Sequence, residues 1–146
     1  MKADPRTQTE VIQAFKGMFE AYKKKDLQAT LAFWAPDPDV VVIGTGSDEK
    51  GSGLKHLTES LQRDFAQGDV LSISVKDFTV SASGMVAWFA ADVTFHVKVG
   101  ENEFDFGTRL TGVMEKVGGS WLWMQMHMST PCSKQKKGQS WPKPAK

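Results

Sequence analysis

Asp92, Arg109, His96 and His127 are the side chains of the C-terminal half best suited to move a proton or hold an anion. They lie in segments that alternate residue by residue, the period of a β-strand. Over 85–99, Trp88, Ala90, Asp92, Thr94 and His96 share one face, and Ala87, Phe89, Ala91, Val93, Phe95 and Val97 share the other. Over 103–116, Arg109, Thr111 and Val113 lie opposite Phe104, Phe106, Thr108, Leu110 and Met114. Arg109 could receive an acidic ligand group through two parallel hydrogen bonds. Asp92 could serve as a base if its surroundings raise its pKa. The competing reading is an ion pair that only ties the sheet together, at little net gain because both charges lose water.

The strand 121–129 has two costly faces. Trp121, Trp123, Gln125, His127 and Ser129 form one, and Leu122, Met124, Met126 and Met128 the other. His127 could be a general base or a structural residue. The methionine stripe fills gaps readily. With Met18, Tyr22, Trp34 and Trp88 it could line an apolar pocket for a flat organic molecule.

Several chemistries are excluded. Gly44 to Gly51 follows a strand and precedes a helix, but it lacks the Gly-Lys-Ser/Thr ending of a phosphate loop, and Asp48 and Glu49 would repel phosphate. Three scattered histidines and one cysteine, Cys132, predict neither a metal site nor an intrachain disulfide. No cofactor is expected. The net charge of +1 divides into a body, residues 1–129, with 13 Lys+Arg against 17 Asp+Glu, and a stretch after Ser129 with five lysines and no acid. A nucleic-acid partner is therefore not expected, since a binder concentrates its basic residues on a folded face. MKADPRTQTE has no apolar run, and no segment approaches the length of a membrane span. A cytoplasmic protein without membrane contact is the expectation.

The elements that must position these residues follow in order. Thr7 and Glu10 have the spacing of a capping box, which predicts a helix to Lys25 with Val11, Phe15, Met18, Phe19 and Tyr22 on its apolar face. The triplet Lys23 to Lys25 suits the helix C-terminus. Asp26 caps a short second helix ending before Pro36, and Val40 to Ile43 is a buried strand. Ser52 caps a third helix, with Glu59 and Arg63 as an i,i+4 pair and His56 on the solvated side. Strands over 70–75, 78–81, 85–99, 103–116 and 121–129 form an antiparallel meander. At 146 residues the chain makes one domain over 1–131, followed by a basic tail over 132–146 with a disordered composition and one tryptophan, Trp141.

Helices before a long meander make an α+β layout. The order of elements resembles the SnoaL-like, ketosteroid-isomerase-like branch of the nuclear-transport-factor-2-like superfamily. The residues carrying the likeness are Lys25 to Leu27, Val40 to Gly44, Gly51, Ala87-Trp88, Arg109 to Thr111, and Gly119 to Ser129. The resemblance implies a cystatin-like cone, three helices wrapped by a curved antiparallel sheet, with a pocket between them and a homodimer through the convex sheet face. It also implies a strand register that turns Trp88, Asp92, Arg109, Thr111, Met124, Met126 and Met128 into the cone. Phe89, Val93, Phe95, Phe106, Leu110, Trp121, Trp123 and His127 then make the dimer face. Patterning alone points the apolar faces inward, and a single β-bulge interchanges the two.

Steroid isomerase activity is not implied. The positions of that family's catalytic tyrosine and two aspartates are taken here by Met18, Val42 and Thr111, and methionine and valine transfer no proton. The resulting expectation is a small-molecule-binding cone, with Asp92 as the catalytic candidate if it is an isomerase, cyclase or hydratase. Its ligand contacts would be Arg109, Trp88, Trp34, Met18, Tyr22, Thr111, Met124, Met126 and Met128. A non-catalytic dimerisation or assembly domain is the alternative.

Overall fold

The structure, a computed structural model, describes residues 1–145. Its first helix, α1 (Pro5–Lys23), begins two residues before Thr7. Asp4 is the cap: its Oδ1 accepts from the Thr7 N–H at 2.9 Å and its Oδ2 from the Thr7 hydroxyl at 3.1 Å. Pro5 occupies the first turn, where its missing N–H costs nothing. The expected Thr7–Glu10 capping box does not form, because Glu10 is drawn to the sheet. Asp26 caps α2 (Leu27–Leu31) as expected, accepting from the Ala29 N–H at 3.0 Å.

β1 (Val41–Ile43) and β2 (Lys50–Ser52) form a short hairpin around the glycine loop. Next come α3 (Gly53–Gln67), β3 (Asp69–Ser83), β4 (Val86–Val99), β5 (Asn102–Val117) and β6 (Ser120–Ser129). The sheet order is β2-β1-β6-β5-β4-β3. All pairings are antiparallel except β1 with β6, a departure from the all-antiparallel expectation. Ser52 precedes α3 but makes no side-chain cap bond.

The two strands expected around Lys76 and Asp77 are one strand, β3. A register shift between Lys76 and Thr79 bends it, with Asp77 in the left-handed region at φ 55°. Residues 1–3 extend along this strand: the Ala3 N–H donates to the Val80 carbonyl at 3.1 Å.

The sheet curves around α1, and the core lies between them. Phe15 and Phe19 of α1 meet Phe89, Phe95 and Trp123 with ring centroids 5.6–6.2 Å apart. Phe89, Phe95 and Trp123 of the strands thus face the helices. This corrects the family-derived register on β4 and β5. Phe89, Val93, Phe95 and Leu110 are buried in the core, as are Trp121 and Trp123 of β6, so none of these six is free to form a dimer face. Phe106 is half-buried on the same side. Of the expected dimer face, only His127 is exposed on the outer side. The physical reason is the demand of α1, whose apolar stripe must be buried against whichever sheet face holds the larger apolar area.

On β6 the alternation breaks. Val113 pairs with Gln125 but Met114 pairs with Trp123, so Met124 is an extra residue in a β-bulge. The bulge puts Trp121 and Trp123 on the same side as Met126 and Met128, although their numbers differ in parity. Gln125 and His127 turn outward.

Close packing at the bulge depends on Gly112. A Cβ there would stand 2.4 Å from Phe89 Cζ and 2.9 Å from Trp123 Cζ3. Gly112→Ala is expected to cost about 1–3 kcal/mol through overpacking. The loss is readable from denaturant midpoints at unchanged slope, and an unaltered midpoint would count against this packing.

Residues after Ser129 contain neither helix nor strand among those described, and Trp141 is 82% exposed. Lys146, the last residue of the expected tail, lies outside the described residues. No helix among the described residues is long and apolar enough to cross a membrane.

Candidate functional site

Between α1, α3 and the inner face of the sheet lies a cavity of about 60 Å³. Met18, Phe19 and Tyr22 of α1, Trp34, Val42 of β1, Leu57 and Leu61 of α3, Phe95 of β4, and Met126 and Met128 of β6 supply its apolar wall. Gly44, Glu49, Ser60, Arg63 and Asp64 supply the polar side. Five of the expected ligand contacts therefore come together here: Met18, Tyr22, Trp34, Met126 and Met128. Met124 does not line the cavity, because the bulge takes it out of the stripe.

The others lie on the opposite face of the sheet. Asp92 and Arg109 are cross-strand partners in β4 and β5, but no hydrogen bond or ion pair joins them. Arg109 is exposed and its Nη2 donates to the Thr130 carbonyl at 3.4 Å. Thr111 and Trp88 also sit on the outer face, Trp88 at 38% exposure. Asp92 and Arg109 were expected as a pair inside the cone. They are a pair in register, outside it, for the same reason that the aromatics point inward.

Of the titratable groups at the cavity, Tyr22 is an expected ligand contact, Glu49 and Arg63 are expected only as loop and helix-surface charges, and Asp64 is not singled out by the sequence. Tyr22 sits one helical turn after Met18. Its hydroxyl donates to Asp64 Oδ2 at 2.9 Å, joining α1 to α3 across 42 residues of sequence. Burial, and then the nearby Asp64 carboxylate, push the Tyr22 phenol well above its ordinary pKa, so it stays protonated as a donor. Asp64 is exposed to solvent on one side and faces the cavity wall on the other. Loss of water raises its pKa, and the Tyr22 hydrogen bond only partly opposes this. Periodicity could have placed Asp64 on α3, but only the approach of α3 to α1 gives it Tyr22.

Arg63 is held away from Glu59. Its Nη1 donates to Asp48 Oδ2 at 2.9 Å, and its Nη2 lies 3.1 Å from Glu49 Oε1. Two carboxylates on the glycine loop outcompete one on its own helix. The Glu49 side chain lies where a side chain at Gly44 would stand, so the glycines of this loop make room for a carboxylate rather than for phosphate. Two indole N–H groups, on Trp34 and Trp123, are buried with no acceptor and closed to water, so Trp34 offers the cavity its ring and not its N–H.

The histidines lie elsewhere. His56 is half-buried rather than fully solvated, with Nε2 3.4 Å from Ser60 Oγ. His96 stands at the end of the β4–β5 hairpin, its Nδ1 2.7 Å from Asp105 and its Nε2 2.9 Å from Glu103. These two carboxylates, Asp105 first, raise its pKa. No group of three or more His, Cys, Asp or Glu side chains among the described residues is placed to hold a metal ion.

A second charged cluster pins α1 to β5 and β6. Glu10 accepts from Trp121 Nε1 at 2.9 Å, from Lys116 Nζ at 3.1 Å and from Arg6 Nε at 3.0 Å. The Trp121 bond, then those of Lys116 and Arg6, bring its pKa down to about 2. A depressed carboxyl adds stability above its unfolded pKa and loses it as pH falls through the folded one. Glu10→Gln is therefore expected to lower the melting temperature at pH 7, with the gap to the parent closing between about pH 4.5 and pH 2. A gap that stays constant down to pH 2 would contradict this.

A SnoaL-like domain model matches residues 11–133. The chain belongs to the SnoaL-like domain family. Solved structures of NTF2-like proteins share the fold at low identity. One, an NTF2-like protein of unknown function from Pseudomonas putida, is 20% identical, with 97% of this chain and 99% of that one covered and a TM-score of 0.75. A ketosteroid isomerase-like protein from Erwinia carotovora is 16% identical, with 88% and 99% covered and a TM-score of 0.74. A protein from Xanthomonas campestris, provisionally named a calcium/calmodulin-dependent protein kinase II association domain, is 23% identical, with 84% and 86% covered and a TM-score of 0.67. No curated protein matches the chain. At these identities the likeness is one of fold.

Proposed function

We propose that this SnoaL-like domain binds a small, largely apolar organic molecule in the cone and that Asp64 transfers a proton to or from it, without a cofactor, in an isomerisation, cyclisation or hydration. The observation that carries this reading is Asp64 itself: a carboxyl with a raised pKa, hydrogen-bonded to a tyrosine whose own pKa is raised, at the polar edge of a mostly apolar cavity. Such a carboxyl is a better base than an ordinary aspartate and can also return its proton. The reacting group would sit against Met18, Met126 and Met128, with the Tyr22 hydroxyl as the neighbouring donor. The ligand is neutral rather than acidic, because the one arginine at the cavity is already engaged by Asp48 and Glu49.

Enolisation of a small ketone tests proton transfer without knowledge of the natural substrate. Exchange of the α-protons of cyclopentanone in deuterated buffer, followed by NMR, is expected to run faster with the protein than in buffer at the same pH. Exchange at the buffer rate, with no shift of the Met18 or Met126 methyl signals on titration, would remove the reading.

A second reading, a dimerisation or assembly domain, is favoured by the outer face of the sheet. There Trp88 is exposed beside Thr111, Gln125 and His127, a broad surface without a helix over it. A homodimer through this face would use these residues, not the buried aromatics. Sedimentation of the parent and of Trp88→Lys decides: the parent is expected as a dimer that the lysine weakens, and a monomeric parent excludes it.

A further inference from the structure

A groove of about 360 Å³ opens beside the cavity, between the C-terminal ends of α1 and α3 and the β4–β5 hairpin. Val97, Val99, Phe104 and Phe106 of the hairpin form its apolar floor, and Phe65 and Val70 its side. Two residues belong to both spaces, Tyr22 and Asp64. Their 2.9 Å hydrogen bond lies where the inner cavity and the groove meet.

Neither space alone fits an organic substrate well. The inner cavity has room for a few non-hydrogen atoms, whereas sites for small molecules commonly span roughly 300–1,000 Å³. The groove has the volume, but its lip is open to solvent, with Phe104 46% exposed. Joined, they make a site with a closed apolar end, a polar waist and a long apolar arm. The charges at the waist and lip disfavour an anion. Arg63 is held by Asp48 and Glu49, and Lys25 by Asp69, while Asp64 adds a further carboxyl.

We propose that the two spaces are one binding site, that the Tyr22–Asp64 hydrogen bond is its movable partition, and that the occupant is an elongated, uncharged molecule with a carbonyl near one end. This rests on the proposed binding role of the cone and names the shape and class of its ligand. The short end enters the inner cavity against Met18 and Met126. The carbonyl accepts from the Tyr22 hydroxyl, which turns from Asp64 to the ligand, and Asp64 keeps its solvent side. The long arm lies along Val97, Val99, Phe104 and Phe106. The bond exchanged is one hydrogen bond for another, so opening forfeits little, and each methylene buried in the groove adds roughly three- to four-fold in affinity.

Methyl-resolved NMR titrations with 2-butanone, 2-nonanone and nonanoate at pH 8 test this. 2-Butanone is expected to shift the methyl signals of Met18 and Met126 and to leave those of Val97 and Val99 in place. 2-Nonanone is expected to shift all four in one binding event, at least ten-fold more tightly than 2-butanone and ten-fold more tightly than nonanoate. Phe104→Ala, at an exposed position that spares the core, is expected to weaken 2-nonanone at least three-fold and leave 2-butanone unchanged. If 2-nonanone shifts only the valines, or reaches the methionines no more tightly than 2-butanone, the partition does not open and the inference falls while the inner cavity stands as a site. If nonanoate binds as well as 2-nonanone, the assigned ligand class is wrong. If neither ketone moves Met18 or Met126, the binding role of the cone falls with it.

Discussion

Trp123→Ala is expected to remove about 3–5 kcal/mol of stability, the range for deleting a fully buried large aromatic. Trp123 is fully buried. Its ring meets Phe15 and Phe19 of α1 at 5.6 and 6.2 Å, Phe89 of β4 at 5.1 Å and Trp34 at 5.4 Å. Its backbone also ties the segment after α2 to the sheet: its N–H donates to the Phe33 carbonyl at 2.8 Å, and its carbonyl accepts from the Ala35 N–H at 3.0 Å. Loss of the ring leaves a void at the one point where α1, Trp34 and three strands meet, and the backbone bonds prevent its collapse. For a domain of this size the loss is a large part of the total. Trp123→Phe is a sharper comparison. It removes volume but also an indole N–H that has no acceptor, so its cost is expected to fall well below that of alanine. Urea unfolding of both variants checks the order. A phenylalanine variant as unstable as the alanine variant would show that the orphan N–H carries no penalty.

Asp64→Asn is expected to lower ketone enolisation by about 10²–10⁴-fold, the usual contribution of a positioned general base. The asparagine can still accept from Tyr22 but takes no proton. Asp92→Asn is the matched control on the outer face and is expected to leave the rate unchanged. The same substitution has a thermodynamic signature that separates proton transfer from folding. Burial raises the pKa of Asp64 in the folded state. A raised carboxyl binds its proton more tightly when folded than when unfolded, so the stability it allows at low pH is lost as pH rises through the folded pKa. Asp64→Asn is therefore expected to melt higher than the parent at pH 7, with the difference vanishing below the ordinary carboxylate range. Less activity with more stability marks a group kept at a cost for function. Equal loss of both would make Asp64 a structural residue.

Asp92 and Arg109 lie on the outer face of the sheet while Tyr22 and Asp64 of the helices reach the cavity, and the reason is long-range. Reading alternation along β4 correctly grouped Trp88 with Asp92 and Phe89 with Val93, and reading β5 grouped Arg109 with Thr111. Grouping does not say which side is in. That depends on the long-range fit of α1, whose Phe15 and Phe19 bury against the aromatic side. Met126 and Met128 of β6 line the cavity and Met124 does not, because a bulge at Met124 aligns the other two with Trp121 and Trp123, and nothing in an unbroken run of alternating residues marks such a bulge. Arg63 had a plausible partner four residues earlier in Glu59. It took two others that the β1–β2 turn brings over α3.

What the chain determined by itself was therefore what depends on neighbours in sequence. Helix periods, the Asp26 cap, strand alternation and the glycine turns put three helices before a long meander, an α+β layout, and the cone is what the family resemblance of that order implies. The tertiary structure alone decided which sheet face meets α1, where β6 bulges, and that Tyr22 and Asp64, 42 residues apart, share one hydrogen bond. Facing is decided by the sum of buried apolar area across the whole sheet, and a pairing between helices by how they pack on it. Neither quantity is held in any short window of residues.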